Sequence, residues 1–325
     1  MKKYALAAVL LALLYFSFSS TNAFSSIYPA ISLRYENPFT QAQIDTALEY
    51  SAENGTLELA FWGESTAAVS FQNKAQSSTV IRFLGDGGAC FPAVFVRGGY
   101  AGDRDAFGCS VSTQLAWQLF GSDDIVGQNV QIDDKSYEIR GVFKNDENVC
   151  VTGADSKATL TNAEISGTTP ADRRTQALNF AKSAGLGAPK SMVYGESMAA
   201  LANLAAWLPL FMAACFMLCA VFGKISALPQ GVNGVAIFAA ALCFALLLPF
   251  ILAEIPAWLI PAKWSDFTFW TTLWQTLGDR IKEWFSLAPC IKDVAAKGEM
   301  LRLTIFTVAA CGCTVNLRKV VKFTL

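Results

Sequence analysis

Two stretches of this chain, 201–222 and 232–253, each run for 22 residues without a charge. A helix of about 20 apolar residues spans the roughly 30 Å hydrocarbon core of a bilayer, so these runs commit the chain to a membrane before any other feature is weighed. Pro209 lies inside the first, Pro249 lies near the end of the second, and Glu254 follows it. A third run, 300–317, is weaker, with Arg302 at its edge and Gly312 inside it. An edge arginine reaches the headgroups by laying its apolar stem along the lipid. At the start, Met1-Lys2-Lys3 leads into an apolar run over 4–18 and a polar tail over 19–23. This run is long for a signal-peptide core and short for a span, and Ala23 stands where cleavage would fall. Both readings put the residues that follow on the same side of the membrane.

Charge orients the set. Lys2, Lys3, Lys224, Arg318, Lys319 and Lys322 fall on one side if the segments alternate. The excess of cations on cytoplasmic loops makes that side the inside. The chain is then expected in the cell membrane as a multi-pass protein whose main domain is extracytoplasmic. The expected parts are an N-terminal transmembrane helix or signal anchor over 1–23, an outer domain over 24–200, and two transmembrane helices over 201–253. An outer loop over 254–299 and a last transmembrane helix with a basic tail over 300–325 complete it.

Composition agrees and narrows the chemistry. Only 16% of the 325 residues are charged, against about 25% in soluble proteins, and mean hydropathy is +0.37. With 25 basic and 26 acidic residues the net charge is -1, so no nucleic-acid partner is expected. Histidine is absent, which removes the commonest general base and metal ligand together. We therefore expect no catalytic, cofactor-binding or metal site, and no enzyme. The nine cysteines include no Cys-x-x-Cys pair. Cys215, Cys219, Cys243, Cys311 and Cys313 sit in apolar runs and read as small packing residues, and Cys290 lies between two such runs. Cys90, Cys109 and Cys150 lie in the outer stretch, where one disulfide is possible and the pairing is open.

The outer stretch mixes helix and strand signals, which predicts an α+β domain with one core or two small lobes. Helices are expected over 40–54, 113–120 (ended by Gly121) and 169–184 (ended by Gly185). Strands are expected over 56–61, 67–71, 80–84 and 109–112. A hairpin is expected from 130–132 through Asp133-Asp134 to 136–143. Asp103, Asp105, Asp123, Asp124, Asp133 and Asp134, with Arg104 among them, could suggest an acidic site, but the paired aspartates occupy turn positions and read as solvated turns. The glycine-rich stretch 85–108, with Phe91, Pro92, Phe95 and Tyr100, is the place to look for a ligand or partner contact; its plainer reading is a surface loop. In the later loop, Phe267, Trp270, Trp274, Leu277, Ile281 and Trp284 line one helical face, and five of the eight tryptophans fall between Trp258 and Trp284. That pattern predicts an amphipathic helix at the membrane interface.

A resemblance then emerges. Ser110 to Gly121 ends in Leu-Phe-Gly, Asp124-Ile-Val-Gly127 follows, then Val130-Gln-Ile132, and Ser136 to Phe143 closes with Tyr-Glu-Ile-Arg-Gly-Val-Phe. This stretch resembles the periplasmic core domain of MacB-type ABC transporter permeases, over about 35 residues closely and more loosely back to Asn37. The order of parts is similar too: one span, a large outer domain, then three spans. The resemblance implies an α+β extracytoplasmic domain on an all-α transmembrane part of four helices. It further implies a non-catalytic permease-like subunit of an ABC-type export or mechanotransmission system, forming a homo- or heterodimer and working with a separate cytoplasmic ATPase. The chain has no Gly-x4-Gly-Lys-[Ser/Thr] loop of its own. One departure is the link 223–231, whose only cation is Lys224 and which contains Pro229. It is too short for a docking helix of several turns. The alternative is therefore a membrane-anchored binding or scaffold protein without ATPase coupling.

Overall fold

The computed structural model describes residues 2–54, 57–102, 105, 107–155, 158–167, 173–226, 265–286 and 290–322, with isolated positions between 234 and 263. The second uncharged run, 232–253, lies almost wholly outside these residues, as do Asp103, Arg104 and most of the link after Ser226. The chain forms two compact units. The outer unit comprises Ser25–Ser197 and Pro289–Ala296; the membrane unit comprises Met1–Phe24, Met198–Ala288 and Lys297–Leu325.

The outer unit is a ten-stranded mixed sheet with helices against it. Its elements are β1 (Ile31–Arg34), α2 (Gln41–Asn54), β2 (Glu58–Phe71), β3 (Lys74–Leu84), α3 (Gly87–Cys90), β4 (Phe95–Gly98), β5 (Gly108–Ser112), α4 (Thr113–Phe120), β6 (Asn129–Ile132), β7 (Lys135–Phe143), β8 (Val149–Gly153), β9 (Asn162–Ser166), α5 (Arg173–Ser183) and β10 (Ser191–Tyr194). The strand order is β10-β1-β9-β2-β3-β8-β5-β7-β4, with β6 pairing β2 and β7. Pairings are antiparallel except β3 with β8 and β5 with β7.

The α+β class and several elements follow the sequence reading. Ser112 caps α4 by accepting from the Leu115 N–H at 3.1 Å, and Gly121 ends it at φ 73° with its N–H on Trp117 O. Three elements depart from it. The expected strands 56–61 and 67–71 are one 14-residue strand, β2, because Gly63 to Thr66 stay paired with Arg82, Ile81, Val80 and Thr79 of β3. The stretch 85–108 is not a plain surface loop: it holds α3 and β4, and Tyr100 Oη donates to Phe91 O. Of the helix expected over 169–184, the described part is α5.

β2 organises the core because successive side chains on a strand point to opposite faces. Leu59 and Phe61 join Leu33, Ile44, Ala163, Ile165, Ala177 and Phe180 in the apolar core that includes α2 and α5 residues. Ala60 and Trp62 face the other way, among Ile81, Phe83, Cys90, Phe143, Val151 and Ile291. Farther along, Val69 enters a third cluster with Leu115, Leu119, Ile132, Ile139 and Val142 beside α4.

The membrane unit takes most of α1 (Lys2–Ile27), α6 (Gly195–Ser226) and α8 (Ile291–Lys322), and all of α7 (Phe267–Ser286). Among the described residues three helices are long and apolar enough to cross a membrane: Lys3–Ile27, Ser197–Val221 and Ile291–Val320. The expected count of four is thus not reached among them. The last helix starts nine residues earlier than the run beginning at 300, since Ile291 is its first residue.

Candidate functional site: a buried ionic cluster at the first turn of α8

On the face of β1, β9 and β2 turned away from α2 and α5, polar side chains stand beside apolar ones. Ile31 and Leu33 alternate with Ser32 and Arg34, and Ala163 and Ile165 flank Glu164. Register sets Ser32 directly across from Glu164. The Ser32 hydroxyl donates to Glu164 Oε1 at 2.6 Å, and the Trp62 indole N–H donates to the same oxygen at 2.8 Å. Arg34 lies over the Trp62 ring at 4.7 Å, a cation–π arrangement. Ser32, Arg34, Trp62 and Glu164 are all buried.

Into this face comes the start of α8, whose first residues belong to the outer unit. Lys292 is 2% exposed and Asp293 1%. Lys292 Nζ donates to Glu164 Oε1 and to Ala89 O of α3, both at 3.0 Å, and stands 5.4 Å from the Tyr28 ring. Asp293 Oδ1 accepts from Tyr28 Oη at 2.5 Å and from Arg34 Nη2 at 3.1 Å.

The helix end itself takes its partner from β2. An α-helix leaves its first N–H groups without intrahelical partners. The Ile291 N–H donates to Glu64 Oε2 at 3.0 Å. The Cys290 thiol donates to Asp293 Oδ2 at 2.9 Å, a side-chain bond across the first turn. Asp293 in the first turn also faces the positive end of the helix dipole.

Two formal cations, Arg34 and Lys292, thus meet two formal anions, Glu164 and Asp293, away from water. Burial acts to lower the Arg34 pKa, but Asp293, Cys290, Glu164 and Tyr28 around it hold it above its ordinary value. Desolvation pushes the Cys290 thiol up to about 12, and the Cys90 thiol nearby is also raised well above its usual range, again chiefly by burial. These thiols are protonated and unreactive at neutral pH. Glu164 Oε1 takes three donors, while Glu164 Oε2, Arg34 Nε and Arg34 Nη1 have no hydrogen-bond partner. A buried ion set satisfied on one side adds little net stability against an apolar core of the same shape, yet it enforces one orientation of its members. Chemically the arrangement is a clamp. It holds a helix start and offers no nucleophile beside a free base.

The residues singled out in the sequence lie elsewhere. Asp105 accepts from Arg140 Nε at 2.7 Å and from the Phe107 N–H, and the Arg140 hydrogen bond holds its pKa below the ordinary value. Asp133 pairs with Arg82 at 2.6 Å and Asp124 with Arg97 at 3.5 Å. Asp133 and Asp134 have φ 49° and 65°, the backbone of a tight hairpin turn. No group of three or more potential ligands is placed to hold a metal among the described residues. A shallow groove of about 370 Å³ beside Thr66, Ser78, Gln114, Gln118 and Asn148 is lined by polar groups, and Asn148 Nδ2 donates to Gln118 Oε1 at 2.9 Å there. Cys109 and Cys150 lie on adjacent strands in one buried cluster, and the Cys109 pKa is raised by hydrogen bonding to Cys150 and by burial; both are free thiols. The sequence reading missed the cluster around Glu164. Locally the sequence offers only a Lys292-Asp293 pair among apolar positions Ile291, Val294 and Ala295 at helical spacing, which marks a helix and not a site.

No protein-family model matches the chain, and no curated protein sequence does. Among solved structures it is similar to the extracellular domain of YknZ, a noncanonic ABC-type transporter from Gram-positive bacteria, at 12% identity and a TM-score of 0.42. That match covers 50% of this chain and 97% of the other. It is also similar to the periplasmic region of MacB from Actinobacillus actinomycetemcomitans, at 9% identity and a TM-score of 0.44, over 54% of this chain and 92% of the other. Likenesses at this level say nothing of activity.

Proposed function

We propose that this chain is a non-catalytic, permease-like subunit of an ABC-type export or mechanotransmission system, resident in the cell membrane with its main domain outside. In this reading it acts through that domain, as a homo- or heterodimer, with a separate cytoplasmic ATPase. One observation carries the reading: α8 begins inside the outer unit, clamped through Lys292 and Asp293, and continues as a helix apolar enough to cross a membrane. A helix whose first turn is held by buried charges cannot shift or rotate there without breaking them. The motif resemblance over 110–143 points to the same class. The test is purification of the tagged protein from its own cells in mild detergent, with mass spectrometry of what remains bound. A stoichiometric ATPase carrying phosphate-binding loops, lost when Arg318 and Lys319 are replaced by Ala, is the expected result. Recovery of the intact protein with no ATPase overturns the reading. The short link with its single cation Lys224 favours a second reading, an anchored binding or scaffold protein. That reading predicts outer-surface partners whose binding is indifferent to nucleotide.

A further inference from the structure

We infer that α7 lies in the plane of a membrane interface, with a narrow aromatic stripe in the acyl chains. The inference rests on the reading that the chain spans a membrane. Helix α7 divides around its axis into three sectors. At 100° per residue, the buried Leu277 and Trp284 and the half-buried Phe269, Trp270 and Leu273 gather on one side. Within the membrane unit, Trp284 packs edge-on against Phe24 at 6.2 Å, so this sector faces protein. Beside it runs a second sector, Phe267, Trp274, Ile281 and Phe285, which are 79%, 69%, 43% and 56% exposed. Those four fall within about 40° of one another, a stripe only one side chain wide. The third sector is polar and holds Gln275, Asp279, Lys282 and Glu283, with Lys282 and Asp279 well exposed.

A stripe of large apolar groups between a protein face and a charged face fits one occupant, the boundary between headgroups and acyl chains. Four charges between Asp279 and Glu283 bar α7 from crossing the bilayer, and it is not among the three helices of the described residues that are long and apolar enough to do so. Its aromatic content suits the headgroup level. The helix is capped at its start and tied to α8 at its end. Asp266 accepts from the N–H groups of Thr268 and Phe269 at 3.1 and 3.2 Å, and Lys297 donates to Phe285 O at 3.2 Å.

The experiment places the full chain in lipid nanodiscs containing phospholipids brominated either near the carbonyl end or near the methyl end of the acyl chains. Tryptophan emission of the wild type is compared with that of Trp274→Phe and Trp207→Phe, so that each difference isolates one ring. Trp207 lies on α6 well inside the span Ser197–Val221 and is 56% exposed. The expected result is a Trp274 signal quenched most by bromines near the carbonyl end, with the Trp207 signal quenched most by the deeper bromines. If Trp207 responds that way but Trp274 is quenched by aqueous iodide and by neither lipid, the interfacial placement fails and the membrane reading stands. If neither ring senses bromine, both fail. A Trp274 signal quenched most by the deep bromines also overturns the inference, because it makes α7 a span.

Discussion

At the scale of single residues, the outer domain is marked by charges placed where charges are expensive. Glu164 is 1% exposed, and its Oε1 is shared by a hydroxyl, an indole and an ammonium. Removing one member of such a set leaves the others buried without compensation, which costs about 3–5 kcal/mol. Glu164→Gln and Lys292→Met should each lower the stability of the outer domain by about that much in denaturant unfolding, whereas the double variant should lose less than the two losses added. Strict additivity of small losses would show that the two side chains do not act together. The thiol of Cys290 gives a second, pH-dependent prediction. Its folded pKa is raised, chiefly by burial, to about 12 from an ordinary 9.0. Folding therefore favours the protonated thiol, and its contribution is complete below pH 9 and declines as pH rises toward 12. Cys290→Ala should flatten the alkaline loss of stability relative to the wild type. An unchanged slope would mean that Cys290 is not held protonated by its surroundings. None of this cluster could be read from the sequence as a site, because its pairs join residues as far apart as Ser32 and Glu164 or Glu164 and Lys292. Whether a glutamate is buried depends on what folds over it, and no local pattern records that.

At the scale of elements, the readable parts are those whose cause is local. The helix α4 was legible because Ser112 and Gly121 cap it within its own stretch of chain, and the β6–β7 hairpin was legible because Asp133-Asp134 is turn chemistry. Strands β1, β8, β9 and β10 were not, since short runs such as Val149–Gly153 become strands only through partners elsewhere: β8 needs β3 and β5. The merging of two expected strands into β2 has the same origin, a long partner in β3. Two substitutions test the local causes. Asp134 holds φ 65° without the freedom of glycine, so Asp134→Gly should stabilise the hairpin by about 0.5–1 kcal/mol, and Asp133 keeps its ion pair with Arg82. Gly141 acts in the opposite direction. It sits where the β5–β7 register shifts, and a Cβ there would meet Gly99 O at 2.4 Å. Gly141→Ala should therefore destabilise by about 1–3 kcal/mol through forced separation of β7 from the β4 end. Thermal melting of the two variants against wild type reads both signs, and a tolerated Gly141→Ala would refute the close approach.

At the scale of the molecule, the outer unit is assembled from two distant pieces of chain, Ser25–Ser197 and Pro289–Ala296. The second piece is only eight residues long, yet it supplies Ile291 to an apolar core, Lys292 to Glu164 and Asp293 to Arg34 and Tyr28. A domain over 24–200 read from sequence alone lacks this piece, because the apolar pattern after residue 300 draws attention to the span and away from the turns before it. The physical consequence is that residues 25–197 by themselves keep Arg34 and Glu164 on one sheet face without their buried partners Asp293 and Lys292. A fragment of 25–197 should then melt well below the same fragment carrying 289–296 on a flexible glycine-serine tether. Lys292→Met in the tethered piece should remove most of the gain, since it leaves Glu164 without its ammonium. Equal melting temperatures for the two fragments would show that the sheet is complete without α8. The clamp would then be a surface contact rather than part of the domain's core. A large gain that depends on Lys292 would instead make the first turn of α8 a structural member of the outer domain.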